Sequence, residues 1–130
     1  MIVVDASAAV EMLLQTAIGT RLSTRLLAPD SSLHAPHLLD VEVAQVLRRF
    51  VLRGELEAER ARQAVIDISD FPLVRYSHEL LLPRAWELRE NLTAYDAIYV
   101  ALAELLAATL VTRDARILRA PGHVAQVEVV

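Results

Sequence analysis

The chain has 130 residues, a length that suits a single domain, and its lack of cysteine excludes disulfide scaffolds, zinc–thiolate centres and cysteine nucleophiles. All 13 basic residues are arginine, which also excludes P-loop chemistry, Schiff bases and lysine-dependent phosphoreceiver domains. The net charge of −4 speaks against a broad basic face for duplex DNA, but leaves nucleic acid open wherever bound metal ions and local arginines supply positive charge.

Ile2 to Val4 is an apolar, β-branched run and predicts a buried strand. Ala6 to Leu14 predicts a helix directly behind it, and Gly19 to Ala28 a second helix ending near Pro29. Ser32 to Ala35 predicts a short strand, with Pro36 suited to the first turn of the next helix. In that helix Leu39, Val43, Val46, Leu47, Phe50 and Val51 form an amphipathic stripe, which Gly54 ends. Glu55 to Ser69 predicts another helix, broken at Pro72, and Leu73 to Tyr76 a strand. His78 to Asn91 reads as helical, with Pro83 delaying its firm start, and Thr93 to Ala107 is a strongly apolar helix. Thr109 to Thr112 predicts a strand, Asp114 to Arg119 a helical turn or two, and Val124 to Val130 a last strand. Strands spaced by helices imply an α/β fold, one doubly wound domain over residues 1–130 with a parallel sheet and helices on both faces.

The hydrophobic fraction, 55%, exceeds what a soluble domain of this size needs for its core. A membrane span takes roughly 20 apolar residues. The most apolar window, Ala97 to Thr112, is shorter and contains Glu104. The N-terminal run carries Asp5 and Glu11 and no basic residue, unlike a signal peptide. The expected location is the cytoplasm with no membrane association. The surplus is left for a partner or a ligand, and helical faces not needed to cover the sheet, such as Met12-Leu13-Leu14, Leu22 with Leu26 and Leu27, and Phe50-Val51-Leu52, are its candidates.

Acidic residues recur where strands end and helices begin, the edge at which open α/β sheets bind ligands. Asp5 ends the first strand, and Asp114 follows the strand Thr109 to Thr112. Asp96 lies three residues after Thr93 at a helix start, and Asp40 and Glu42 lie in the first turns of the helix after Pro36. Each has a plain structural reading as a helix cap or as a partner of the helix dipole. Asp40 and Glu42 both flank the apolar stripe, so helical angle does not choose between them. The functional reading is that Asp5, Glu42, Asp96 and Asp114 converge. Carboxylates gathered in one pocket repel unless cations neutralise them, and hard oxygen ligands select Mg²⁺ or Mn²⁺. Such sites suit hydrolysis of phosphodiesters.

Four segments carry a resemblance: Val3-Val4-Asp5-Ala6-Ser7, Glu42-Val43-Ala44-Gln45-Val46-Leu47, Tyr95-Asp96-Ala97-Ile98-Tyr99-Val100-Ala101-Leu102-Ala103 and Thr109-Leu110-Val111-Thr112-Arg113-Asp114. In order, spacing and total length they resemble PIN domains, and in particular the VapC toxins of bacterial toxin–antitoxin pairs. The resemblance implies a sheet of about five parallel strands in order 3-2-1-4-5, which sets Asp5 beside Asp114. It implies an endoribonuclease whose acidic quartet, Asp5, Glu42, Asp96 and Asp114, is both catalytic and metal-binding, with Mg²⁺ as cofactor and Mn²⁺ as substitute. It favours Glu42 over Asp40. The partners implied are an RNA substrate, a cognate antitoxin and a second copy of the chain, with hetero-oligomers of toxin and antitoxin. Two departures stand out: Gln45 where many relatives carry Asn, and Arg116 where some carry a further acid. Arg113 and Arg116 are candidates for phosphate contact, and Ser7 and Thr112 for positioning an acid or water. The four histidines are scattered and read as structural. The alternative is a catalytically weak PIN-like module that binds RNA or a protein partner without cleavage. A phosphoreceiver is disfavoured by the missing lysine.

Overall fold

A computed structural model describes all 130 residues. Strand β1 (Ile2–Val4) leads through Asp5 into α1 (Ala6–Leu13), and α2 (Ala17–Leu26) returns against α1. Then come β2 (Leu33–Pro36), α3 (Leu38–Leu52), α4 (Ala58–Asp70) and β3 (Leu73–Tyr76). A 3₁₀ turn (His78–Leu80) precedes α5 (Leu82–Glu87) and α6 (Ala94–Leu106). The chain ends in β4 (Thr109–Thr112), α7 (Ala115–Arg119) and β5 (Val127–Val129). No helix is long and apolar enough to cross a membrane.

The strands form one parallel sheet in the order β3-β2-β1-β4-β5, as the resemblance implies. Successive strand residues point to opposite faces, and in β1 and β4 the two cores follow that alternation. Val3, Ala35 and Leu110 enter the larger core with Leu39, Val43 and Leu47 of α3 and the buried run Ala97–Ala103 of α6. Val4, Leu33 and Val111 enter a smaller core closed by Met12 of α1 and by Leu22 and Leu26 of α2. The centre of the sheet is therefore buried on both faces, which is why β1 and the middle of β4 read as apolar runs. The order reverses at β1, so the carboxyl ends of β1 and β4 lie side by side, with Val4 opposite Val111.

Several sequence expectations are corrected. Pro36 belongs to β2, opposite Tyr76 of β3, rather than to the next helix. The pairing of β1 with β2 ends at Val3↔His34, so the amide that Pro36 lacks has no β1 partner to lose. The helix expected over His78–Asn91 is a 3₁₀ turn followed by the short α5, with Pro83 in the first turn of α5, where its missing amide costs no helical hydrogen bond. The last strand starts at Val127, since the Val124 amide is taken by Glu104 Oε1 at 2.8 Å. Of the apolar faces expected at contacts, Met12, Leu13, Leu22 and Leu26 are core residues. The large exposed apolar side chains include Leu80, Leu82, Trp86 and Leu105 instead, together with Leu52 at the end of α3.

Candidate active site

Asp5, Glu42, Asp96 and Asp114 line one cavity of about 270 Å³ at the carboxyl edge of the sheet, together with Ser7, Gln45, Arg49 and Tyr99. Each acid arrives from a different element. Asp5 caps α1 and is only 7% exposed. Its Oδ1 accepts from the Ala8 amide at 3.0 Å and from the Ser7 hydroxyl at 2.6 Å, and its Oδ2 accepts from the Thr112 hydroxyl. Capping and a place in the cavity wall thus fall to the same carboxylate. Glu42 projects from the second turn of α3. Asp96 lies in the first turn of α6, where Thr93 Oγ1 accepts from the Asp96 amide at 3.2 Å. Asp114 caps α7 just beyond β4.

Thr112 joins two of the acids. Its hydroxyl donates to Asp5, and its oxygen accepts from the Asp114 amide at 2.9 Å. Ser7 does similar work, donating to Asp5 while accepting from the Arg113 amide at 2.8 Å. Both residues position the acidic edge rather than acting as caps alone. Asp40 points elsewhere: Arg75 grips it in a bidentate ion pair at 2.9 and 3.0 Å, and it does not line the cavity. Helical angle left Asp40 and Glu42 equal, and the Arg75 pair separates them.

The electrostatics are those of crowded acids. Burial raises the carboxyl of Asp5 above its ordinary range against the lowering hydrogen bonds from Ser7 and Thr112. Burial also raises Glu42, and the charges of Asp96 and Asp5 add to it. Asp96 is raised by burial and by the charge of Asp114. Asp114 is the exception: the Arg116 guanidinium, 2.6 to 3.1 Å away, holds it below the usual range. Two polar atoms here, Glu42 Oε1 and the Tyr99 hydroxyl, are buried without a hydrogen-bond partner. Burial raises Tyr99 too, and the neighbouring charge of Glu42 reinforces the shift.

A hard divalent cation fits this donor set. All the acidic ligands are oxygens, three of the four acids are destabilised as anions, and Glu42 Oε1 lacks any donor. The ligands are not drawn together as a finished coordination sphere: no three acidic or histidine side chains are gathered into a ready set. Asp114 is held instead by Arg116 at 2.6 Å. The histidines stay outside: His34 bonds Ser32 and Tyr76, His78 accepts from the Leu38 amide, and His123 meets the Ile117 carbonyl. Arg113 pairs with Glu11 at 2.6 Å. Sequence reasoning gave no site role to Arg49 and Tyr99, although spacing marks both. Arg49 is two helical turns from Glu42, and Tyr99 is three residues beyond Asp96.

Comparison with known proteins shows the family. The family model of the PIN domain matches residues 2–123. Ribonuclease VapC1 of Mycobacterium tuberculosis is 42% identical over 98% of this chain and 96% of its own length. The VapC ribonuclease Mb0985 of Mycobacterium bovis is 46% identical, over 90% of this chain and 88% of its own. Among solved structures, Mycobacterium tuberculosis VapC20, described as a sarcin–ricin loop cleaving toxin, shares the fold with a TM-score of 0.68 at 18% identity, covering 95% of this chain and 97% of that one. VapBC2 of Rickettsia felis, solved with a DNA fragment from its promoter, also has a TM-score of 0.68 at 18% identity, covering 98% of each chain. A match along most of its length, and relatives at this identity over nearly whole chains, mean that the protein belongs to the PIN domain family, alongside the VapC ribonucleases.

Proposed function

We propose that this chain is a metal-dependent endoribonuclease, the toxin of a toxin–antitoxin pair. The observation that carries the reading is the convergence of Asp5, Glu42, Asp96 and Asp114, from four separate elements, on one cavity at the β1/β4 switch point. The four carboxylates hold Mg²⁺, for which Mn²⁺ substitutes. When bound, the cation would supply Lewis acidity at the phosphate and lower the pKa of a bound water, two effects that favour phosphodiester hydrolysis. Ser7 and Thr112 fix the orientation of Asp5, and Thr112 also ties it to Asp114. The Tyr99 hydroxyl stands beside Glu42 and lines the cavity. The names of the VapC relatives and of the VapBC2 complex support an RNA substrate and an antitoxin as partners, and the exposed apolar side chains of the chain support a second copy of it.

The test is cleavage of RNA with Mg²⁺ or Mn²⁺ by wild type and by Asp5→Asn. Asparagine still caps α1, so the fold is retained while a ligand charge is lost. The expected loss is at least about a hundredfold, on the order of 3 kcal/mol of barrier. A variant that cuts as fast as wild type would remove Asp5 from the machinery.

One observation favours a second reading, a PIN-like module that binds RNA or protein without cutting. Arg116 occupies Asp114, and no three acids are gathered as ligands. Calorimetry with Mn²⁺ separates the readings: saturable binding supports the nuclease, and no heat at any concentration supports the module.

A further inference from the structure

A second cavity opens beside the acidic one. Its volume is about 540 Å³, in the range that holds nucleotide-sized ligands. The two share Ser7, Val46 and Arg49, so they form one continuous depression. Their chemistry is opposite. The acidic cavity carries four carboxylates, whereas the second presents Arg49, Arg53 and Arg113 against a single acid, Glu11.

Along α3, Glu42, Val46, Arg49 and Arg53 fall at spacings of three and four, so one helix face runs from carboxylate to guanidinium. Arg113 is neutralised by Glu11. Arg49 and Arg53 enter none of the chain's ion pairs, and each keeps a planar fork of donors for a phosphate. Between them, the half-buried ring of Phe50 forms part of the wall.

We infer that this second cavity is a subsite for single-stranded RNA beside the scissile bond, with Arg49 and Arg53 gripping a flanking phosphate and Phe50 offering a face for its base. The inference rests on the nuclease reading and deepens it. A chain with net charge −4 and four carboxylates at its reaction edge repels a polyanion, so binding needs positive charge close by. Unpaired guanidiniums next to an aromatic ring are what single-stranded nucleic acid uses without base-specific readout. A duplex does not bring a base against a recessed ring, so the occupant is a single strand. Arg48, next to Arg49 in sequence, lines a different, apolar cavity with Val51 and Val65, and so serves as the control.

The experiment measures fluorescence anisotropy of a short, labelled, unstructured RNA with the full chain in EDTA across a salt series. Arg53→Gln, at an exposed helix end, should weaken binding roughly tenfold, the range for a hydrogen bond to a charged group, and lower the salt slope by about one. Phe50→Ala should weaken binding and leave the salt slope unchanged, and Arg48→Gln should match wild type. Under cleavage conditions Arg53→Gln should raise KM with kcat nearly constant. Wild-type affinity and slope in Arg53→Gln overturn the inference, as does a wild type that binds no RNA. If the variant keeps RNA affinity but loses a protein partner, the groove docks protein and the inference falls. If these binding differences hold while wild type cuts no RNA with Mn²⁺, the subsite stands and the nuclease reading alone fails.

Discussion

Glu42 is a partly buried acid among acids. Its Oε1 is buried without a donor, and burial, aided by the charges of Asp96 and Asp5, raises its carboxyl. Asp5 and Asp96 are raised as well, chiefly by burial. Acids raised on folding bind protons more tightly in the native state. The stability they contribute is full below the ordinary carboxylate range and is lost as pH climbs through their folded values. Asp114 and Glu104 have the opposite sign. Held down by Arg116 and Arg84, they contribute stability above the ordinary range, lost as pH falls through their folded values. Without divalent cations, the melting temperature should therefore fall as pH rises from mildly acidic to neutral. Glu42→Gln should flatten that fall and melt higher at neutral pH. Melts in EDTA across the range check this, and a variant that melts lower than wild type at neutral pH contradicts it. The acidic quartet was legible in the sequence because each member stands where a strand ends or a helix begins. The choice of Glu42 over Asp40 was not legible from helical angle, because Arg75, on another strand, decides it.

At the scale of elements, the α1–α2 hairpin has the tightest tolerance. A Cβ on Gly19 would fall 1.7 Å from the Glu11 carbonyl oxygen, so the two helices meet backbone to backbone. Gly19→Ala must push α2 away from α1, at a cost of about 1–3 kcal/mol. The same shift disturbs Glu11, which accepts from Thr16 and pairs with Arg113. Chemical denaturation should show the loss as a lower midpoint with an unchanged slope. Alternation of strand and helix was readable because strands buried on both faces are apolar throughout and the helices carry a periodic stripe. Element ends were less readable. Pro36 is compatible with either a strand end or a helix start, and only its place opposite Tyr76 settles which. The start of β5 depends on Glu104, a side chain on α6 that captures the Val124 amide.

For the whole molecule, the excess of apolar residues was plain from composition, but its location depends on which faces the folded chain covers. Met12, Leu22 and Leu26 went into the core, while Leu80, Leu82 and Leu105 stay exposed, as does Trp86, 69% exposed beneath the Arg89 guanidinium. If these residues form the self-contact of the proposed dimer, light scattering should give a dimer mass, and Trp86→Glu should shift it toward the monomer at equal concentration. A monomeric wild type would leave that apolar surface unexplained. The Thr112 link between Asp5 and Asp114 bears on how the protein is made. It spans β1 and β4, and the strand that begins the chain is central in the sheet. A nascent chain that has not yet emitted β4 has β1 as an open edge, no fourth carboxylate and no hydroxyl to fix Asp5. Translation thus completes the acidic edge late, and a polypeptide released short of Thr112 lacks both the hydroxyl that ties Asp5 and the fourth carboxylate.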